Sequence, residues 1–275
     1  MKKVLVTGAN GMLGQDLCPI LEDEGYEVVE TDIHNLDITN PESILNVLEE
    51  EKPDVVIHCA AYTNVDKAEE DYETARKINV GGTENLAKYC GENNITLIYI
   101  STDYVFDGEL KKGLYETSDK TNPINNYGLT KRDGEEAVKK YCKKYYIART
   151  SWLYGIHGKN FVETMISLTD KKELKVVDDQ IGCPTWTVEL CNGILKLLKE
   201  KEYGIYHICG SGQTSWYGFA REIFKLANIN VNIRPCKTEE FPRPAKRPKY
   251  SVMNNQGICR PWQKALKDYI NLRDI

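Results

Sequence analysis

Tyr127 and Lys131 stand four residues apart in the run Asn125-Asn126-Tyr127-Gly128-Leu129-Thr130-Lys131. If that run opens a helix, both side chains lie on one face, and a phenol and an ammonium share one site. The cation favours phenolate, so the tyrosine should exchange protons near neutral pH more readily than its ordinary pKa of about 10 allows. Thr102, about 25 residues upstream, closes the apolar run Leu97-Ile98-Tyr99-Ile100 and could hydrogen-bond the same substrate oxygen that Tyr127 protonates. An exposed pair on an amphipathic helix has the same spacing, so the rest of the chain must supply a cofactor.

That cofactor is a dinucleotide. Lys3-Val4-Leu5-Val6-Thr7 reads as a buried strand, followed at once by Gly8-Ala9-Asn10-Gly11-Met12-Leu13-Gly14 and an amphipathic helix carrying Leu13, Leu17, Ile20 and Leu21. Glycines spaced three apart let the backbone turn tightly and approach a pyrophosphate, and the third lets helix and sheet pack closely. A second strand, Glu27 to Thr31, ends at Asp32, where a carboxylate can bind the adenosine ribose hydroxyls. No arginine or lysine follows Gly8 or Asp32 directly, so NADH should be preferred over NADPH. Asp37 and Ile38 could bracket an adenine ring, or form a solvated turn.

Pro41 to Glu50 has the apolar spacing of a helix. Asp54 to Ala61 is a continuous apolar run, the pattern of a strand buried on both faces. It ends in Ala60, Ala61, Tyr62 and Thr63, which would leave room for a dinucleotide at the carboxyl edge of the sheet. His58 lacks a second ligand at metal-binding spacing and is read as a core residue. The strand that delivers Thr102, a helix from 127 to about 142 and Tyr146 to Thr150 complete six strand–helix alternations in about 150 residues, with Tyr146–Thr150 as the sixth strand. The fold class is α/β, a doubly wound parallel sheet of Rossmann type.

The chain of 275 residues is long enough for one large α/β domain or one and a half. Its net charge of -5 gives no electrostatic case for nucleic acid or an anionic membrane. Nine cysteines without a CxxC pair argue for reduced thiols rather than disulfides or zinc. No stretch has the length of a signal or membrane-spanning segment, so a cytoplasmic protein is expected.

Together, Gly8-x-x-Gly11-x-x-Gly14, Asp32, Ser101-Thr102-Asp103-Tyr104-Val105-Phe106-Asp107-Gly108 and Tyr127-x-x-x-Lys131 resemble an extended short-chain dehydrogenase/reductase. Within that superfamily Ala60-Ala61-Tyr62-Thr63-x-Val65-Asp66-x-Ala68-Glu69, Arg149-Thr150-Ser151-Trp152-Leu153-Tyr154-Gly155 and Asp178-Asp179-Gln180-x-Gly182-x-Pro184-Thr185 are similar to the dTDP-4-dehydrorhamnose reductase family, over nearly the whole length. The resemblance implies reduction of the C4 ketone of dTDP-4-dehydro-L-rhamnose by NAD(P)H. It implies that Gly11 to Leu13, Asp32, Asp37, Ile38, Ala61 to Thr63, Tyr127 and Lys131 meet the dinucleotide. Thr102, Asp103 and Trp152 would meet the sugar nucleotide, with Tyr104 beside them.

Residues 1–152 are expected to form the dinucleotide-binding domain and 153–275 a smaller substrate domain over the sheet rim, with segments returning to the first. Its expected elements are a helix from Phe161 to Leu168, a strand from Leu174 to Val177, a helix from Val188 to Leu198, a strand from Tyr203 to Cys209 and a helix from Trp216 to Leu226. In Arg243-Pro244-Ala245-Lys246-Arg247-Pro248, Lys246 and Arg247 could clamp the substrate's diphosphate, or belong to a solvated turn. Some relatives bind magnesium at a dimer interface through a glutamate after the glycine motif. This chain has Gln15 there, so a monomer or a metal-independent homodimer is expected. Three other readings remain: a nucleotide-sugar 4,6-dehydratase, though Asp103-Tyr104 lacks that class's Asp-Glu; a 4-epimerase; and a non-catalytic subunit like the regulatory subunit of methionine adenosyltransferase.

Overall fold

The run Val4-Leu5-Val6 is fully buried at the centre of β1 (Lys3–Thr7), the strand on which the sheet is assembled in this computed structural model. The structure describes residues 2–109, 113–168 and 173–273. β2 (Glu27–Thr31) lies on one side of β1 and β3 (Val55–His58) on the other. β4 (Thr96–Thr102) and β5 (Tyr145–Thr150) extend the sheet beyond β3, and every pairing is parallel. The chain reverses its direction of growth at β1, so the ends of β1 and β3 flank a crevice where a doubly wound sheet binds its ligand.

The sixth strand is not Tyr146–Thr150, which is the fifth. It is Gly204–His207, which pairs with β5 after an excursion of about 50 residues. Tyr146 to Thr150 has the composition of a final strand, but the closing edge comes from a segment remote in sequence, and pairing across such a distance leaves no local pattern.

Both sheet faces are covered. On one, α1 (Met12–Asp23) and helix Thr187–Glu200 enclose Leu13, Leu17, Leu21, Leu190 and Ile194. On the other, α2 (Pro41–Glu51) and helices Thr83–Glu92 and Asn126–Tyr141 pack around Leu5, Ile44, Val56, Leu86 and Val138. A separate core forms where helices Phe161–Ser167, Trp216–Leu226 and Trp262–Leu272 meet around Phe219, Leu266 and Tyr269. The strand Leu174–Val177 pairs there with Ile233–Cys236.

The first turn of α1 presses on the loop before it, because Gly14 has no side chain: a Cβ at that position would stand 2.5 Å from both Cα and O of Ala9. Gly14→Ala is therefore expected to lower the unfolding free energy by about 1–3 kcal/mol in a urea titration. An unchanged midpoint would mean that loop and helix can part without cost.

Candidate active site

Helix Asn126–Tyr141 begins where Asn125 caps it, its Oδ1 accepting from the backbone N–H of Gly128 at 2.7 Å. Gly128 seats the first turn against the Asp103–Val105 turn, since a Cβ there would fall 2.1 Å from the carbonyl oxygen of Tyr104. The result brings the Tyr127 phenol up to Thr102 in the same wall, with the Tyr104 ring edge-on to Tyr127 at 6.0 Å. Asp103 is buried behind them. Its Oδ1 accepts from the Thr102 hydroxyl at 3.1 Å and its Oδ2 from Ser251 at 2.5 Å, while burial raises its pKa to about 7.

Lys131 is buried with its Nζ 4.1 Å from the centroid of the Tyr99 ring. Burial lowers its pKa to about 7, against the pull of the Glu135 carboxylate and Cys59. The expectation that this ammonium acidifies the phenol does not hold here. Burial pushes Tyr127 up to about 12; the Asp103 charge adds to that rise and the Thr102 hydrogen bond opposes it. Lys131 settles over an aromatic face, where a desolvated cation finds compensation, rather than against the phenol. His58 is a core residue between the Thr7 and Thr83 hydroxyls at 2.8 and 3.1 Å, and burial, then Lys131, lowers its pKa to about 3.

These groups form one end of a cleft of about 770 Å³ along the carboxyl rim of the sheet. Gly8, Gly11, Met12, Leu13 and Gly14 line it, as do Asp32, Asp37, Ile38, Ala60, Ala61 and Thr63 at the dinucleotide end. Thr102, Asp103, Tyr104, Tyr127, Lys131 and Trp152 line the other. Gly8 has a φ of +67°, and a Cβ on it would lie 2.8 Å from the Ala60 backbone, so the loop bends closely over β3. Asp32 accepts from the backbone N–H groups of Asn10 at 3.2 Å and Ile33 at 2.7 Å, which fixes its carboxylate at the rim. A tight glycine cradle and a held carboxylate fit a dinucleotide.

Residues 1–274 match the family described as the RmlD substrate binding domain. The spore coat polysaccharide biosynthesis protein SpsK of Bacillus subtilis (strain 168) is 40% identical, covering 99% of this chain and 98% of its own. A dTDP-4-dehydrorhamnose reductase crystal structure from Clostridium acetobutylicum superposes with a TM-score of 0.96 at 50% identity, over 99% of this chain and 100% of that one. The chain belongs to the dTDP-4-dehydrorhamnose reductase family. A second reductase structure, from Bacillus anthracis in complex with NADP, has a TM-score of 0.95 at 43% identity, with coverages of 99% and 100%.

Three expected site residues of this family member stand outside the cleft lining. The Tyr62 backbone is clasped by Asn79, whose amide accepts from its N–H at 2.8 Å and donates to its carbonyl at 3.1 Å. Lys246 is exposed, and its carbonyl accepts from Asn125. Arg247 pairs with both Asp66 oxygens at 2.6 and 2.8 Å and donates to the Ala245 carbonyl at 2.7 Å, with Tyr104 beside it. It therefore meets the cleft through Tyr104, because Asp66 already satisfies the fork that a diphosphate would need.

Other lining residues escaped the sequence reading. Trp216 stacks on Trp152 at 3.5 Å and 4°, and Trp152 takes a left-handed φ of +47° to lie there. Lys159 and Thr150 also line the cleft, and the buried Thr150 hydroxyl has no hydrogen-bond partner among the described residues. A tryptophan at the start of an amphipathic helix reads as core. Only the tertiary approach of that helix to Trp152 turns it toward the rim.

The Lys131 pKa has a measurable consequence. Its folded value near 7 lies below the unfolded value of about 10.4, so the unfolded chain holds the extra proton between those limits and stability from this group rises with pH. Lys131→Met removes the buried charge, so the variant's stability relative to wild type should fall as pH rises from about 7 to about 10 in paired urea titrations. A constant difference across that range would contradict the charge burial described here.

Proposed function

We propose that this protein is an oxidoreductase that reduces the C4 ketone of dTDP-4-dehydro-L-rhamnose to dTDP-L-rhamnose. The observation that carries the reading is that Tyr127, Thr102 and Lys131 line one end of the cleft that also holds the glycine cradle, in a chain of this family. When bound, a reduced nicotinamide supplies the hydride for C4. Negative charge then develops on the ketone oxygen; Tyr127 delivers its proton there and Thr102, turning its single hydroxyl proton away from Asp103, donates a hydrogen bond. A phenol held up near 12 keeps its proton until that charge appears.

The glycine loop, Met12 and Leu13 would hold the dinucleotide's pyrophosphate, Asp32 its adenosine ribose, Asp37 and Ile38 the adenine, and the Ala60–Thr63 edge its inner half. Among the described lining residues the cations are Lys131 and Lys159, and neither is held by Asp32, so a 2′-phosphate would meet a carboxylate. NADH is accordingly the preferred donor, with NADPH accepted less well. Residues 153–275 would serve the sugar nucleotide, with Asp103, Tyr104 and Trp152 at the sugar. Lys159 is better placed for a diphosphate than Lys246 or Arg247, because it opens onto the cleft. We place the enzyme in the cytoplasm, where it would supply a sugar for cell-envelope polysaccharide as a monomer or a metal-independent homodimer. No helix among the described residues is long and apolar enough to cross a membrane.

The test is NADH and NADPH oxidation with dTDP-4-dehydro-L-rhamnose, its D-configured precursor and a UDP analogue. Turnover should require the dTDP-linked L-sugar and favour NADH. Tyr127→Phe should lose about 10²- to 10⁴-fold in kcat while still binding NADH. A Tyr127→Phe enzyme of near-normal kcat, or wild type inert toward the L-sugar, would refute the reading.

A further inference from the structure

One helical turn beyond Lys131, Glu135 is fully buried against a fully buried arginine. Its Oε1 accepts from Arg149 Nε at 2.9 Å and from the Ser101 hydroxyl at 2.6 Å, and its Oε2 accepts from Arg149 Nη2 at 2.7 Å. Three secondary-structure elements meet on this one carboxylate. Glu135 belongs to helix Asn126–Tyr141, Ser101 to β4 and Arg149 to β5, and Ser101 and Arg149 are register partners across the two strands. The next pair in that register is Thr102 with Thr150, at the cleft wall. Arg149 is held in turn by the Thr117 carbonyl at 3.4 Å and the Phe106 ring at 5.1 Å.

We propose that Glu135 is a positioning residue for the reacting group, its carboxylate fixing where Tyr127 and Lys131 stand relative to Thr102. The inference rests on the ketoreductase reading. A side-on, two-bond contact between carboxylate and guanidinium specifies direction as well as distance, which an apolar contact does not. The grip on β4 lies one residue before Thr102, and the grip on the helix one turn after Lys131. A slip of the helix along the sheet would break all three bonds at once.

The carboxylate also acts on Lys131 electrically. The groups facing that ammonium are Glu135 from its own helix, His58 at the end of β3 with Cys59 just after it, and Tyr99 from β4; Asp103 faces Tyr127. Of these, the Glu135 carboxylate is the leading group that keeps the lysine protonated. Its loss should lower the pH at which Lys131 gives up its proton.

Two measurements on the full-length protein test this. Lys131 titration is followed by carbon NMR of the lysine side chains, assigned with Lys131→Met, and needs no substrate. Steady-state reduction of the dTDP-linked ketone is followed beside NADH binding by fluorescence. In Glu135→Gln the Lys131 midpoint should move to lower pH, and the alkaline limb of kcat/KM should move with it. The kcat should fall about tenfold or more with the NADH Kd changed by less than about threefold, the split expected of misplaced reacting groups. If Glu135→Gln does not fold, Glu135→Leu with Arg149→Met replaces the pair by apolar groups of similar size, which buried sites often tolerate. That variant should show the same kcat loss. A folded variant of either kind that keeps kcat within about twofold of wild type overturns the proposal. Should wild type show no turnover, the ketoreductase reading fails by itself, and an unmoved Lys131 midpoint in Glu135→Gln then overturns this one separately.

Discussion

The site depends on how closely helix Asn126–Tyr141 can lie against the carboxyl ends of β4 and β5. Backbone must nearly touch backbone, which Gly128 permits at the Tyr104 carbonyl, and the gap behind must be filled by groups that hold the two elements in one register. Glu135 and Arg149 fill it with opposite charges that are buried from solvent. Removing one member of such a pair typically costs about 3–5 kcal/mol, since the other charge is then stranded. The contact is therefore a weak source of net stability and a strong constraint on geometry. Lys131 lies one helical turn from it, Tyr127 about two turns, and Thr102 one residue beyond Ser101.

That geometry sets the charge states along the wall. Desolvation pushes each ionisable group toward neutrality: Lys131 falls to about 7, Asp103 rises to about 7 and Tyr127 rises to about 12. A wall of groups drawn toward their neutral forms is suited to a reaction in which charge appears on a substrate oxygen and is quenched at once by a proton. The buried carboxyl of Asp103 matters here through its neighbours. It receives hydrogen bonds from Thr102 and Ser251, so the threonine at the cleft is oriented from behind by a residue about 150 positions later in the chain.

The later part of the chain thus completes the site as well as covering it. Gly204–His207 closes the sheet edge, Ser251 holds Asp103, Arg247 supports Tyr104, and Trp216 carries the flat face on which Trp152 rests. Each contact joins a residue near the rim of the first 152 positions to one beyond 203. The later region shares the first core through Leu190, Ile194 and Ile208 and also builds one of its own, so apolar packing joins the two regions while these polar and aromatic contacts fix their positions at the cleft.

Local pattern alone determined the glycine loop, the acidic end of β2, the small residues after β3, the YxxxK helix and the α/β class, because each depends on neighbours within a few turns of chain. Periodicity reveals which face of an element is apolar, and glycine spacing reveals where backbone must turn. Tertiary structure decided the sixth strand, the partner of Arg247, the stack of Trp216 on Trp152 and the direction in which the Tyr127 pKa moves. Those outcomes depend on distances between segments about 25 to 180 residues apart and on burial from solvent. A lysine four positions from a tyrosine was visible as a pair; that burial and the Asp103 charge raise the phenol's pKa, while the ammonium rests on Tyr99, follows from packing that no single stretch contains.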